Sequence, residues 1–203
     1  ARLTAEDDPL GGAIAWLLSG SAQTEVDDII DALDAASSEE FAAELEAVRA
    51  IAARNPGDPG VVVALLMNLI VLRRGEGIFL RAGLLHAYVS GLGVEIMAAS
   101  DNVLRGGLTP KHIDVPELLS VLDTTPGIVP VLRPSADGAV SAYPVDVDDF
   151  ALRRVEVTGE AVELDVAGPT MVLVTGGEGT VAGSDGDAVD VPVPSAGIGR
   201  AES

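Results

Sequence analysis

The stretch that decides the fold runs from His86 to Lys111 and reads HAYVSGLGVEIMAASDNVLRGGLTPK. It sets single polar side chains among small and apolar residues. On an extended strand, residues two apart point to the same face, so His86 and Tyr88 are predicted to share one face. Glu95 and Met97 are predicted to share a face by the same rule. We therefore expect this stretch to carry the chemistry of the chain.

The residues just before this stretch have the spacing of a metal-binding strand. Glycines stand at positions 75 and 83, and His86 follows the second glycine by three residues. This spacing resembles the second cupin motif, in which such a histidine projects from a barrel strand towards a metal. A glycine permits the turn before the strand, where a side chain would clash. Arg81 stands where cupins usually have proline. A histidine in apolar surroundings is also compatible with a packed, hydrogen-bonded role.

The whole stretch closely resembles the long signature of type I mannose-6-phosphate isomerases. That signature runs H-A-Y, a glycine, E-x-M-A-x-S-D-N and then R-A-G-x-T-P-K. Every fixed position is matched except one, where Gly106 replaces the alanine that follows the arginine. The flanks, NPGDPGVVVALLMN before it and HIDVPELLSVLD after it, look similar to the same family. The resemblance covers residues 55–125 strongly and the rest of the chain weakly.

The resemblance implies a reaction and a set of residue roles. Aldose–ketose isomerisation moves a proton between C1 and C2 through an enediol. It needs a group that polarises the carbonyl, a base, and cations that hold the phosphate or the developing oxyanion. His86 matches the zinc-ligating histidine and Arg105 matches the catalytic arginine. The substrate-binding positions that are matched are Tyr88, Glu95, Asp101 and Lys111, the last being the single lysine of the chain.

Some of these roles stay open at this stage. Glu95 and Asp101 are nearly as compatible with structural roles as with direct contact to a substrate. His112 has no support from the motif and is given no role.

Part of the family's zinc site is missing from this sequence. The family binds one zinc ion with a glutamine and a histidine from a Q-x-H segment, a glutamate, and the histidine matched by His86. No Q-x-H segment occurs here, and Gln23 is the only glutamine. The Y-x-D-x-N-H-K-P-E signature is absent as well. The chain therefore looks like the C-terminal portion of an isomerase truncated at its N-terminus. Because protein zinc sites use three or four protein ligands, we expect this chain alone to bind zinc weakly and to have little activity.

Composition excludes several classes of protein. The 203 residues include 32 acidic and 12 basic side chains, a formal net charge of −20. That charge argues against nucleic acid as a partner, since phosphates require basic surface. A hydrophobic fraction of 48% excludes a disordered chain. The absence of cysteine excludes disulfides and thiolate zinc sites.

The charge is unevenly distributed along the chain. Residues 1–50 carry −10, residues 51–110 carry +1 and residues 111–203 carry −11. Acid-rich faces commonly serve only to keep a protein soluble. The middle segment nevertheless lacks a field that repels anions, so it is the expected place for an anionic ligand, which the resemblance implies to be a sugar phosphate.

Hydrophobic periodicity predicts helices at the start of the chain. Val26, Ile29, Ile30 and Leu33 form one apolar stripe, and Phe41, Leu45, Val48 and Ile51 form another. Ser37 and Glu40 have the spacing of a capping box at the start of the second helix. The sequence NPGDPG at 55–60 is predicted to end that helix.

After residue 60, short apolar runs between Gly, Pro and Asp predict strands. The runs are Val61–Leu72, Ile78–Leu80, Val94–Met97, Gly127–Leu132, Arg153–Val157 and Thr170–Thr175. A short helix is predicted within Pro110–Asp123. The predicted fold class is mainly β with a helical subdomain: a partial cupin-type β-barrel preceded by a small α-helical segment. We expect 1–54 to be part of the helical subdomain, 55–125 the barrel portion with the signature, and 126–203 a β-rich portion whose tail from Gly176 is frayed.

No membrane partner is expected. The most apolar run, Val61–Leu72, has 12 residues, whereas a membrane-spanning helix needs roughly 20. The N-terminus lacks the features of a signal peptide. We therefore expect a cytoplasmic protein. Because half of a barrel would leave strand edges exposed, association through those edges is a further expectation.

The sequence supports two hypotheses about function, one an enzyme and one a noncatalytic protein. The first is a zinc-dependent mannose-6-phosphate isomerase, active as the intact protein, that interconverts mannose 6-phosphate and fructose 6-phosphate in carbohydrate metabolism. The alternative is a noncatalytic cupin-like remnant or interaction module that has lost its metal site. A separate chain that supplies the missing ligands is a third arrangement. An upstream Q-x-H segment in the same reading frame would exclude the remnant.

Overall fold

The computed structural model describes residues 7–100, 103–166, 168–183 and 186–192. The chain divides into two compact units, one from Ala1 to Glu156 and one from Val157 to Glu202. The helices are α1 Pro9–Leu18, α2 Gln23–Leu33, α3 Ala42–Arg54, α4 Pro59–Ala64 and α5 Val115–Val121. The strands are β1 Gly77–Ile78, β2 Val131–Leu132, β3 Ser135–Asp137, β4 Val140–Tyr143, β5 Leu152–Val155, β6 Gly179–Ala182 and β7 Ala188–Val191.

The first helix begins where the local sequence supplies a cap. Asp8 precedes α1, and its carboxylate accepts a hydrogen bond of 2.9 Å from the backbone N–H of Gly11. Pro9 follows at the first helical position, where its missing N–H costs nothing. The hydroxyl of Thr124 also donates to Asp8 at 2.9 Å. Asp8 therefore fixes the start of α1 and ties it to the chain that follows α5.

The predicted capping box at Ser37 and Glu40 is wrong. Phe41 occupies the cap position of α3, and no side chain caps that helix. The backbone N–H of Phe41 instead donates to Ser38 Oγ at 3.1 Å. The serine that accepts a backbone hydrogen bond is therefore Ser38, one residue after the predicted Ser37. The predicted apolar stripe is present, since Val48 and Ile51 are buried. The helix ends at Arg54, before the predicted NPGDPG break.

The start of the predicted strand Val61–Leu72 is a helix. Asp58 caps α4 by accepting 2.7 Å from Gly60 N, and Pro59 stands at its start. These are helix-start signals, and a short apolar run does not distinguish a buried strand from a buried helix. Val61, Val62 and Val63 are all buried, so the run is apolar because α4 is covered on more than one side.

The core of the first unit consists of two apolar clusters that meet at α4. The first cluster contains Ile14, Leu17, Ala22, Val26, Val62 and Val63. The second contains Leu33, Val48, Ile51 and Val61. Helix α4 therefore contributes to both clusters and joins α1 and α2 on one side to α2 and α3 on the other. Arg49 adds a polar link, because its guanidinium donates to the carbonyl oxygens of Leu33 and Ala36 at the end of α2.

The strands form three small antiparallel sheets. Strands β1 and β2 pair through Gly77 and Leu132. Strand β4 lies between β3 and β5, with Ser141 opposite Ala136 on one side and Arg154 on the other. The hydroxyl of Tyr143 on β4 donates to the carbonyl of Gly75 at 2.9 Å, which ties this sheet to the turn before β1.

The second unit contains a β-hairpin. Strands β6 and β7 pair antiparallel with Thr180 opposite Asp190. The Thr180 hydroxyl donates to the Asp190 carboxylate at 2.7 Å. Cross-strand pairing thus forms a hairpin from β6 and β7 within the part of the chain that was predicted to be the tail. Residues 193–203 lie outside the described part of the chain.

Several predicted strands are present and others are not. The runs at Ile78–Leu80, Gly127–Leu132 and Arg153–Val157 overlap β1, β2 and β5. Val94–Met97 and Thr170–Thr175 form no strand pairing among the residues that the structure describes. Sheets and helices of the predicted kinds are thus present. The three sheets do not close into a barrel within the described ranges.

None of the helices described is long and apolar enough to cross a membrane.

Replacing Val26 by alanine tests whether the helical core has been identified correctly. Val26 is fully buried in the first cluster, so Val26→Ala leaves a cavity and is expected to lower the free energy of unfolding by roughly 1–3 kcal/mol. Val71 is 76% exposed, and Val71→Ala is the matched control, with an expected change within about 0.5 kcal/mol. Urea unfolding followed by circular dichroism measures both. Equal effects of the two substitutions would contradict the assignment.

Candidate functional site

The turn before the predicted histidine strand requires glycine, as the sequence predicted. Gly83 has φ +84°, and a Cβ there would lie 2.6 Å from the carbonyl oxygen of Val121. The Gly83 carbonyl accepts a hydrogen bond of 2.9 Å from Asp123 N. The backbone of Gly83 thus has a left-handed conformation and lies in close contact with the end of α5. The role predicted for this glycine is confirmed.

An ion pair reinforces the same turn. Arg81, which stands where cupins usually have proline, lies 3.6 Å from the carboxylate of Asp123. The pKa of Asp123 is lowered, mainly because its carboxylate accepts hydrogen bonds from the backbone and side chain of Thr125, with a smaller contribution from Arg81. Both residues are well exposed to solvent, so the ion pair itself contributes little stability.

His86 lies directly after this turn on an exposed stretch without regular secondary structure, so the strand predicted to carry it is not formed. Its Nδ1 is 3.0 Å from the carbonyl oxygen of Leu84. A carbonyl can only accept, so Nδ1 donates this hydrogen bond, and in the neutral tautomer that donates from Nδ1 the lone pair is on Nε2. Nothing in the sequence pattern could reveal this partner, since every residue carries a carbonyl. The arrangement presents Nε2 as a ligand or proton acceptor.

Tyr88 contacts His86, although the strand on which their spacing predicted a shared face is not formed. The two rings meet edge to face, with centroids 6.3 Å apart and planes at 80°. The pKa of Tyr88 is raised, first because partial burial disfavours the phenolate and then because Glu95 repels the phenolate and accepts a hydrogen bond from the hydroxyl. Tyr88 therefore joins His86 and Glu95 into one group.

Apolar side chains anchor this stretch to the helical core. Leu85 packs against the first core cluster and Val89 against the second. Arg54, the last residue of α3, donates through Nη2 to the carbonyl oxygen of Val89 at 3.2 Å. His86 and Tyr88 thus stand between two anchored residues and face away from the core, which explains why both are exposed.

The predicted cationic residues lie on the loop that leads into α5. Arg105 is half-buried and Lys111 is exposed. The backbone N–H of Lys111 donates to Thr109 Oγ1 at 3.2 Å. A Cβ at Gly106 would lie 2.6 Å from Leu85 Cδ1, so the residues that adjoin His86 and Arg105 are in contact. The loop is therefore placed beside the histidine stretch.

Not every predicted site residue is joined to the others. Within residues 7–100 and 103–166, no hydrogen bond or ion pair links the side chain of Arg105 or Lys111 to the His86 group. Asp101 lies outside the described residues. His112, which was given no role, lines an open groove of about 410 Å³ together with Leu18 and Asp114.

The residues present do not by themselves fit a zinc ion. The part of the chain that the structure describes contains no cluster of three or more histidine, aspartate or glutamate side chains. His86 has one nitrogen available, whereas a protein zinc site uses three or four protein ligands. Hydrogen-bond and cation chemistry are what the described residues can supply.

Comparison with known proteins agrees with the sequence resemblance. No protein-family model matches the chain. It is 40% identical over 152 residues to mannose-6-phosphate isomerase from Bos taurus, a match that covers 70% of this chain and 36% of the relative. It is 36% identical over 160 residues to mannose-6-phosphate isomerase from Salmonella typhimurium, covering 78% of this chain and 41% of that one.

Solved structures give the same relationship. The crystal structure of apo mannose 6-phosphate isomerase from Salmonella typhimurium matches with a TM-score of 0.64 at 35% identity, covering 74% of this chain and 39% of that one. The fold is thus that of part of a phosphomannose isomerase. The predicted relationship is confirmed: the chain is a relative of the mannose-6-phosphate isomerases and matches their C-terminal part. It spans only 36% and 41% of the length of the two relatives above.

Three variant structures of the Salmonella typhimurium phosphomannose isomerase are also similar to this chain. In them alanine replaces a histidine, a glutamate or an arginine, and these positions follow one another at intervals of nine and ten residues. His86, Glu95 and Arg105 follow one another at the same intervals.

Titration of Tyr88 tests the His86 group. Glu95→Gln removes the negative charge that opposes ionisation, so the pKa of Tyr88 is expected to fall towards its ordinary value while the burial effect remains. Absorbance at the tyrosinate band, followed against pH, measures this shift. The chain has two tyrosines, and Tyr143→Phe in both backgrounds isolates Tyr88. Glu117→Gln, an exposed carboxylate on α5, is the control. An unchanged Tyr88 titration in Glu95→Gln would disprove the pairing.

Proposed function

We propose that this chain is the C-terminal part of a mannose-6-phosphate isomerase and that the intact protein interconverts mannose 6-phosphate and fructose 6-phosphate. The proposal depends most on one observation: His86, Glu95 and Arg105 have the intervals of the three positions replaced in the similar solved variants. The identity to curated mannose-6-phosphate isomerases supports it. The cupin-type barrel and the domain limits 1–54, 55–125 and 126–203 are part of the same proposal.

The reaction transfers a proton between two neighbouring carbons of the sugar. A base takes the proton from C2 of the aldose, and negative charge develops on the C1 oxygen of the enediolate. A proton is then delivered to C1, and the hydroxyl proton of O2 passes to O1 as the C2 carbonyl forms. The guanidinium of Arg105 is suited to hold that oxygen, because a half-buried cation stabilises developing negative charge better than one in bulk water. The base is not assigned to any residue.

The remaining residues are proposed to bind the substrate. Lys111 is exposed at the end of the loop, where a flexible ammonium group can meet the phosphate. Tyr88 and Glu95 form a hydrogen-bonded pair that can contact sugar hydroxyls. Asp101 is proposed for the same pocket from the motif alone. The segment 51–110 carries a net +1 in a chain of −20, which favours an anionic substrate there over the acidic ends.

Zinc belongs to the proposal only for the intact protein. The family resemblance implies one zinc ion with His86 as a ligand, but the described residues of this chain do not fit that ion alone. We therefore assign no step to a metal. We infer that the remaining zinc ligands come from protein outside this sequence. A cytoplasmic location and association through exposed strand edges are further parts of the proposal.

Comparison of the isolated chain with the full product of its gene tests the proposal. Conversion of mannose 6-phosphate to fructose 6-phosphate is measured with added zinc and with a chelator. We expect chelator-sensitive turnover from the full gene product and none from the isolated 203-residue chain, since the described residues of the latter contain no cluster of three or more histidine, aspartate or glutamate side chains. Chelator-sensitive turnover by the isolated chain would overturn the inference about missing ligands. Inactivity of both would favour the noncatalytic cupin-like module.

Substitution of the arginine tests its assigned role. In the full gene product, Arg105→Met is expected to lower kcat by about 10²–10³-fold, the usual cost of losing one oxyanion-stabilising donor. Arg74→Met is the matched control, because Arg74 is an exposed arginine outside the proposed site. Circular dichroism establishes that both variants are folded. A kcat for Arg105→Met within twofold of that of Arg74→Met would remove Arg105 from the mechanism.

A further inference from the structure

The loop that carries Arg105 and Lys111 contains an unusual backbone conformation. Gly107 has φ +128°, and the next residue, Leu108, has φ +57°. Leu108 is the one non-glycine residue with positive φ in the described part of the chain. A leucine in this region is sterically unfavourable and is retained only where its surroundings determine it. Something in the fold must therefore hold this loop.

The loop is held by a contact between two glycine backbones. A Cβ at Gly107 would lie 2.7 Å from Gly60 Cα and 3.1 Å from Gly60 N. In the reverse direction, a Cβ at Gly60 would lie 2.9 Å from Leu108 N and 3.0 Å from Gly107 Cα. These backbone atoms cannot rotate away as a side chain would. The Asp58 carboxylate also crowds both positions, with Oδ1 2.9 Å from a Gly60 Cβ and 3.2 Å from a Gly107 Cβ. Any side chain at either glycine would separate the loop from α4.

Two further contacts define the position of the loop on the helix. The carboxylate of Asp58 caps α4 at Gly60 N, and its Oδ1 lies 3.2 Å from where a Gly107 Cβ would be. The side chain of Leu108 packs against the second core cluster. The unfavourable φ of Leu108 thus allows its side chain to enter the core while the adjacent glycine touches α4.

We propose that Gly60, Gly107 and Leu108 form a backbone lock that positions the two cationic residues of the isomerase site. Arg105 lies two residues before Gly107, and Lys111 lies three residues after Leu108. The position of the lock on α4 therefore determines the positions of both cationic side chains. These three residues touch no substrate; they act through Arg105 and Lys111. This inference rests on the function proposed above.

Alanine substitutions with matched controls test the lock. Gly107→Ala and Gly60→Ala each introduce a clash between backbones. Gly159→Ala is the control for Gly107→Ala, because Gly159 lies outside the proposed site and has φ +131° and nothing within 4 Å of its Cβ position. Gly127→Ala, also in open space and outside the proposed site, is the control for Gly60→Ala. A further variant, Leu108→Gly, removes the anchoring side chain and introduces no clash, so it tests the lock even if the alanine variants fail to fold.

The first measurement is trypsin cleavage after Arg105 and Lys111 in the full gene product, relative to cleavage after exposed Arg74. Cleavage reports how often the loop leaves its position. We expect the relative rate to rise about tenfold or more in the three lock variants and to change less than twofold in the controls. Unchanged cleavage at both sites in the lock variants would overturn the proposal.

The second measurement is isomerase kinetics, which a purely structural role would not alter in folded protein. Because small misplacement of a catalytic group is costly, we expect kcat/KM to fall about 10–100-fold in lock variants whose circular dichroism matches that of the controls. Increased cleavage with kcat/KM within twofold of the controls would show a structural contact without a positioning role and would overturn the proposal. If the unsubstituted protein has no isomerase activity, both the proposed function and the positioning role are wrong. The cleavage data still show, in that case, whether the glycine contact holds the loop on α4.

Discussion

The burial of helix α4 is the interaction on which the rest of the first unit depends. Val61 contributes to one apolar cluster, and Val62 and Val63 contribute to the other. Removal of this much apolar surface from water is what a short helix of six residues needs, because its own hydrogen bonds are too few to stabilise it. The His86 stretch and the Arg105 loop, which follow α4 in the sequence, pack on the same two clusters. The site is therefore assembled on the helical core.

This dependence links the two predicted groups of the site. Leu85 and Val89 hold the His86 stretch on the core, while Leu108 and Gly107 hold the Arg105 loop on the same core. The contact of Leu85 with Gly106 joins the two stretches directly. Neither group is placed by a long ladder of strand hydrogen bonds. Their relative position follows from side-chain packing, which is why volume changes at these positions matter more than changes at exposed polar positions.

Local features of the fold were predictable from the sequence, and contacts between distant residues were not. Periodicity placed α2 and α3, and spacing identified Gly83 as a turn glycine, because each signal depends on neighbouring residues. The apolar run at Val61 was misassigned because a buried helix and a buried strand look alike in a short window. The family motif supplied the site residues. The contact between Gly60 and Gly107 spans 47 positions, and no local pattern encodes it.

The exposure of the candidate site bears on how the proposed reaction could occur. Tyr88 is 63% exposed, and Leu92 and Met97 are 74% and 54% exposed. Proton transfer through an enediol requires a site from which water is largely excluded, and hydrogen bonds to a developing oxyanion are worth most where the dielectric is low. Since the chain spans 36% and 41% of two curated relatives, the proposed activity implies that this face is covered by protein beyond the described residues.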